Sequence, residues 1–131
     1  MKKIVIMLMM ASALFALDSS WLSDYDKAVK IAQKENKNIY VFVTSDYCKW
    51  CREFENVTLG NKQVIKKLEK EYVLVHFSKE KHQVPKEFKT SPIPRHYFVS
   101  PQKDVFFEDL GYRNEKYFLG VLNDISQGDD E

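Results

Sequence analysis

The decisive stretch is Ile39-Tyr40-Val41-Phe42-Val43-Thr44-Ser45-Asp46-Tyr47-Cys48-Lys49-Trp50-Cys51. Its first six residues form an unbroken β-branched and aromatic run. Continuous rather than alternating apolarity predicts a strand buried on both faces, in the middle of a sheet covered by helices. Ser45-Asp46-Tyr47 then leads directly into the only two cysteines of the sequence, Cys48 and Cys51. A spacing of two residues suits a redox dithiol or half of a zinc site. A purely structural bridge would close a very small loop and stabilise little through chain entropy.

Outward toward the N-terminus, Tyr25 to Glu35 predicts a helix capped by Ser23 or Asp24, with Ala28, Val29, Ile31 and Ala32 as its apolar stripe. Asn36-Lys37-Asn38 ends it. Leu17 to Leu22 reads as an irregular lead-in. Before that, Lys2-Lys3, an apolar run through Phe15 and small residues at Ala11, Ala13 and Ala16 read as a cleavable secretory signal over residues 1–16. The run is shorter than the roughly 20 residues that span a bilayer. Residues 17–131 are expected to form a single domain with its core at about 21–125, in the periplasm or outside the cell. In such an oxidising compartment two cysteines are expected to cycle or bridge.

Outward toward the C-terminus, a helix is expected after Cys48, with Gly60-Asn61 as a break and Asn61 as the cap of a second helical piece. In that piece Val64, Ile65 and Leu68 form the buried stripe among solvated lysines. Tyr72 to Phe77 is a second strand, Val84-Pro85 begins one helical turn, and Thr90-Ser91-Pro92-Ile93-Pro94 is a rigid turn. Arg95 to Ser100 and Val105 to Glu108 predict a hairpin. Asn114 caps a last helix with Tyr117, Phe118, Val121, Leu122 and Ile125 on its apolar face, and Ser126 to Glu131 reads as a frayed acidic tail. The order gives an α/β fold: a central mixed four-stranded sheet with helices on both faces. The 131 residues carry a formal charge of +1, with 44% hydrophobic and 14% aromatic content. That balance suits one folded core and gives no electrostatic case for nucleic acid.

Cys48-Lys49-Trp50-Cys51-Arg52-Glu53-Phe54-Glu55 after a buried strand, the strand around Val75, and Ile93-Pro94 before another strand together resemble the thioredoxin superfamily. The likeness runs from about Trp21 to Ile125, and is strongest toward exported thioredoxin-like proteins with a CxxC motif and an extended first helix. It implies a thioredoxin-like fold and a thiol–disulfide oxidoreductase acting on protein thiols and disulfides. The Cys48/Cys51 disulfide would be its redox centre, with no further cofactor. Cys48, at a helix N-terminus, would attack, and Cys51 would resolve the mixed disulfide. Pro94 matches the family's cis-proline, and with Ile93 and Trp50 would border the substrate groove. Arg95 and His96 would tune substrate choice or simply sit at an exposed strand end.

The chain departs from the family's pattern at Phe42, where many thioredoxins have a buried acid six positions before the first cysteine. Asp46 and His76 are therefore the proton-transfer candidates, and Lys49 is a candidate for favouring the thiolate. A half-buried strand histidine explains His76 equally well, and core packing explains Trp50. Reductase or isomerase action is favoured over primary oxidation, and between these reduction, because no dimerisation arm of the sort large isomerases use is evident. A monomer, reduced again by a membrane electron donor, is expected. The alternative is a non-enzymatic metal carrier or partner-binding module of the same fold. It would need His76, His82, His96 or carboxylates to complete a metal site, and no bound metal is expected.

Overall fold

The computed structural model describes residues 20–128. Residues 1–19, with the expected signal over 1–16, and the last three residues lie outside them. The elements run α1 (Tyr25–Glu35), β1 (Asn38–Thr44), α2 (Lys49–Glu53), a π-helical turn (Phe54–Thr58), α3 (Lys62–Glu71), β2 (Tyr72–Ser78), β3 (Arg95–Val99), β4 (Val105–Leu110) and α4 (Glu115–Gly128). The strands form a single mixed sheet in the order β2-β1-β3-β4. β1 pairs parallel with β2 and antiparallel with β3, and β3 pairs antiparallel with β4. The helical crossover between β1 and β2 requires that parallel pairing.

β1 is central, and its alternate side chains enter two different cores. Ile39, Val41 and Val43 pack with Val73, Val75, Phe77, Tyr97 and Val99 against Ala28, Val29 and Ala32 of α1. Tyr40 and Phe42 point to the other face, with Leu74 and Phe98, against Phe54, Val64, Leu68, Phe118 and Leu122. A strand covered on both sides needs no polar face, which explains the unbroken apolar run.

The caps follow the local sequence. Asp24 accepts from the Lys27 amide at 3.1 Å and starts α1. Asn61 accepts from the amides of Gln63 and Val64 and starts α3. Asn114 accepts from the Tyr117 amide at 2.8 Å at the head of α4.

Four expectations need correction. Leu22 is no irregular lead-in: it makes a parallel bridge to Val75, donating to the Leu74 carbonyl and accepting from the His76 amide. Val84-Pro85 begins no helix; a single turn there is closed by the Phe88 amide on the Pro85 carbonyl, and it drops Phe88 into the core. Residues 126–128 are not frayed but belong to α4, where the Ser126 hydroxyl donates to the Leu122 carbonyl at 2.9 Å. Tyr117 stays half exposed under the Arg113 guanidinium, 4.8 Å from its ring centroid, instead of joining the buried stripe.

Candidate active site

Beyond Thr44 the chain leaves the sheet, and Ser45-Asp46-Tyr47 carries it across to α2. Cys48 is the N-cap of that helix, and its Sγ lies 3.1 Å from the Cys51 amide that points at it. Cys48 and Cys51 are joined in a disulfide, with Cα atoms 5.2 Å apart. The two sulfurs differ in access: Cys48 is partly exposed, whereas Cys51 is 1% exposed. The amphipathic turn dictates this, because Cys51 lies on the side that continues into Phe54 and the core.

A groove of about 260 Å³ opens beside the dithiol, lined by Trp50, Ile93, Pro94, Gly111 and Tyr112. Trp50 is 54% exposed, so it is a surface residue, and its ring lies 5.8 Å from that of Tyr112. Lys49 places its ammonium 5.4 Å from the Trp50 ring centroid, a cation–π contact. The Ser91–Pro92 and Ile93–Pro94 peptide bonds are both cis. Arg95 ties this loop down, its guanidinium donating to the Pro92 carbonyl at 2.8 Å and the Ser91 carbonyl at 3.4 Å.

His96 is not at an exposed strand end but fully buried. A carbonyl can only accept, so Nε2–H donates to Gly111 O at 2.9 Å, and Nδ1 accepts from the Tyr40 hydroxyl at 2.7 Å. Burial holds the ring neutral, with its pKa pushed down to about 4. The same Gly111 donates its amide to the Pro94 carbonyl at 2.8 Å. Gly111 has φ +95°, a conformation that favours glycine, and a side chain there would meet nothing within 4 Å. His96, Gly111 and Pro94 thus form one hydrogen-bonded floor beneath the groove. Only β3–β4 pairing brings residues 96 and 111 together, so no local pattern announced this contact.

Phe42 occupies the place of the usual acid, fully buried among the rings of Phe54, His76 and His96. His76 is its register partner on β2. His76 Nε2 lies 2.8 Å from the Thr44 hydroxyl, and burial, reinforced by the charges of His82 and Lys81, pushes its pKa down to about 4. Asp46 accepts from the Ser78 hydroxyl at 2.8 Å and pairs with Lys81 at 3.7 Å.

Glu55 escaped the sequence reading because it looked like a water-facing residue between apolar ones. Its half-buried carboxyl has a pKa raised by burial and by Asp46, against the lowering effect of Arg52. The available signal was its place four residues after Cys51, on the same side of the helix. Of the histidines weighed as metal ligands, His76 and His82 lie with ring centroids 6.1 Å apart, but His82 accepts from the Ser78 amide at 2.9 Å, and His96 is bonded to Tyr40 and Gly111. Among the described residues no cluster of three or more histidines, cysteines or carboxylates is assembled.

A dithiol at the head of a helix, beside the loop that enters the third strand of such a sheet, is the arrangement of thioredoxin-superfamily oxidoreductases. Residues 20–101 match the family model described as thioredoxin-like, and the chain belongs to that family. Solved structures agree on the fold. A thioredoxin from Thermus thermophilus is 20% identical with a TM-score of 0.68, covering 83% of this chain and 88% of its own. The disulphide isomerase from Xylella fastidiosa Temecula1 is 14% identical with a TM-score of 0.66, covering 88% and 99%. The oxidised C-terminal domain of Neisseria meningitidis DsbD is 18% identical with a TM-score of 0.62, covering 79% and 97%. A search of curated protein sequences returns no match.

Proposed function

We propose that this chain is an exported, periplasmic thiol–disulfide oxidoreductase that works on protein substrates in the reducing or isomerising direction. The observation that carries the reading is the asymmetry of the two sulfurs: Cys48 is accessible at a helix N-terminus, while Cys51 is buried one turn behind it. Helix N-termini favour thiolates, and the accessible thiolate is the one that attacks.

In the reducing direction the Cys48 thiolate attacks a substrate disulfide. The substrate S–S bond breaks, a Cys48–substrate bond forms, and one substrate thiolate leaves and takes a proton. Cys51 then loses its proton and attacks Cys48 Sγ, closing the Cys48–Cys51 disulfide and expelling the second substrate thiolate, which is also protonated. Two electrons pass from protein to substrate. The dithiol is the only redox group this requires, and an electron donor at the membrane would reduce it again. Trp50, Ile93 and Pro94, joined by Tyr112, offer an apolar wall to the polypeptide next to the attacked sulfur. Asp46 and His76 are committed to Ser78, Lys81 and Thr44. Glu55, one turn beyond Cys51 on the same side of the helix and with its carboxyl pKa raised by burial, is the residue we assign to accept the Cys51 proton. Export rests on the basic and apolar start of the sequence.

Replacing each cysteine in turn tests this reading. Cys48→Ser should abolish reduction of a protein disulfide, whereas Cys51→Ser should accumulate a mixed disulfide through Cys48. A Cys51→Ser protein that captures no substrate, with a wild type that reduces none, would sink the proposal.

A further inference from the structure

Glu80, in the connection after β2, is an exposed residue, yet its carboxylate is fully engaged. Oε1 accepts from the Ser45 hydroxyl. Oε2 accepts from the Asp46 amide at 3.0 Å and lies 3.2 Å from the Ser78 hydroxyl, which also reaches Asp46 Oδ1 at 2.8 Å. From Ser45 the bonds run on toward the dithiol: its Oγ accepts from the Tyr47 amide and its carbonyl from the Cys48 amide, each at 3.3 Å. Arg52 closes the set from the far side, donating to the Asp46 carbonyl at 2.8 Å.

The position of this clasp gives it a task. Sheet pairing between β1 and β2 ends at Thr44 and Ser78, so no ladder holds the residues that deliver Cys48 to the start of α2. A free surface carboxylate would lose rotamer entropy by sitting still; the Ser45 hydroxyl and the Asp46 amide hold this one, with the single Ser78 proton shared between it and Asp46. The donors, the Ser45 hydroxyl first, keep the Glu80 carboxyl well below the usual range, at about 2, so it stays an acceptor at neutral and mildly acidic pH.

We propose that Glu80 is a positioning residue for the redox pair, fixing the Ser45–Tyr47 turn so that the Cys48 sulfur stays within bonding reach of Cys51 when the disulfide is open. The inference rests on reading Cys48 and Cys51 as an exchanging dithiol. Ordering supplied in advance raises the effective concentration of one sulfur at the other, which favours ring closure. The oxidised form is already tied and gains less. Loss of the clasp should therefore make the disulfide easier to reduce.

The test is the redox equilibrium of the full chain with glutathione. One protein dithiol and one oxidised glutathione give one protein disulfide and two glutathione thiols, with two electrons and two protons passing to glutathione. Glu80→Ala should lower this equilibrium constant about tenfold, equivalent to about 30 mV for a two-electron couple. Glu80→Gln separates hold from charge, since its carbonyl can accept from the Asp46 amide while its amino group donates to Ser45. It should recover most of the loss. Ser45→Ala, which keeps the carboxylate but cuts one arm, should shift the constant in the same direction, and it carries the test if Glu80→Ala does not fold. Folded Glu80→Ala or Ser45→Ala proteins with the wild-type constant would overturn the inference. So would a Gln variant that falls as far as Ala, because the charge rather than the hold would then be acting. A wild type whose cysteines do not exchange with glutathione would overturn the underlying functional reading as well.

Discussion

At the scale of single residues, the chemistry turns on which polar groups are buried and which are reachable. Cys48 and Cys51 were legible from spacing, and Pro94 from its place before a strand. Glu55 was not, because a glutamate between apolar residues reads as solvated until the helix is seen packed. If Glu55 takes the Cys51 proton, Glu55→Gln should slow release of the mixed disulfide by about 10²-fold while leaving the first attack by Cys48 near its wild-type rate. Stopped-flow separation of the two steps checks this, and equal slowing of both would contradict it. His96 makes a prediction about acid stability. Its folded pKa of about 4 lies below the ordinary 6.5, so the unfolded chain binds the proton first. The stabilisation is complete above pH 6.5 and is lost as pH falls toward 4, on the order of 3 kcal/mol for this fully buried ring. Urea unfolding at pH 7 and pH 4.5 should show the drop, and His96→Gln should flatten it. His76, depressed by the same burial, adds in the same direction.

At the scale of elements, local signals fixed starts better than ends. Asp24, Asn61 and Asn114 each cap the helix that follows them, because a short polar side chain before an apolar stripe has few other uses. Ends depend on packing: α4 reaches Gly128 because Ile125 and Val121 rest against the aromatic core, a fact absent from the composition of the tail. The stretch after Cys51 widens into a π-helical turn before Gly60, which sequence periodicity did not show. There Gly60 is required by space, since a Cβ would lie 2.3 Å from the Asn56 carbonyl oxygen. Gly60→Ala should therefore destabilise the fold by about 1–3 kcal/mol despite an exposed position, measurable as a lower urea midpoint at unchanged slope. An unchanged midpoint would mean that the turn yields freely. Asn61→Ala should cost about 1 kcal/mol by the same measurement, through loss of the α3 cap.

At the scale of the whole molecule, a central apolar strand divides two cores and then ends beneath the dithiol. The mixed sheet was readable because each strand type leaves its mark: unbroken apolarity in β1, an apolar run broken by His76 in β2, and turn residues between β3 and β4. The contacts that shape the site were not readable, since they join residues far apart in sequence. Ser45 meets Glu80, and His96 meets Gly111, only after the sheet has formed. The central claim is that Cys48 and Cys51, set at the head of α2, form an exchanging dithiol. It is tested most directly by mixing the fully reduced chain with insulin and counting thiols and products by mass spectrometry. The account predicts one insulin disulfide cleaved for each chain that loses two thiols and gains the Cys48–Cys51 bond. Intact insulin beside a chain that keeps both thiols would contradict it.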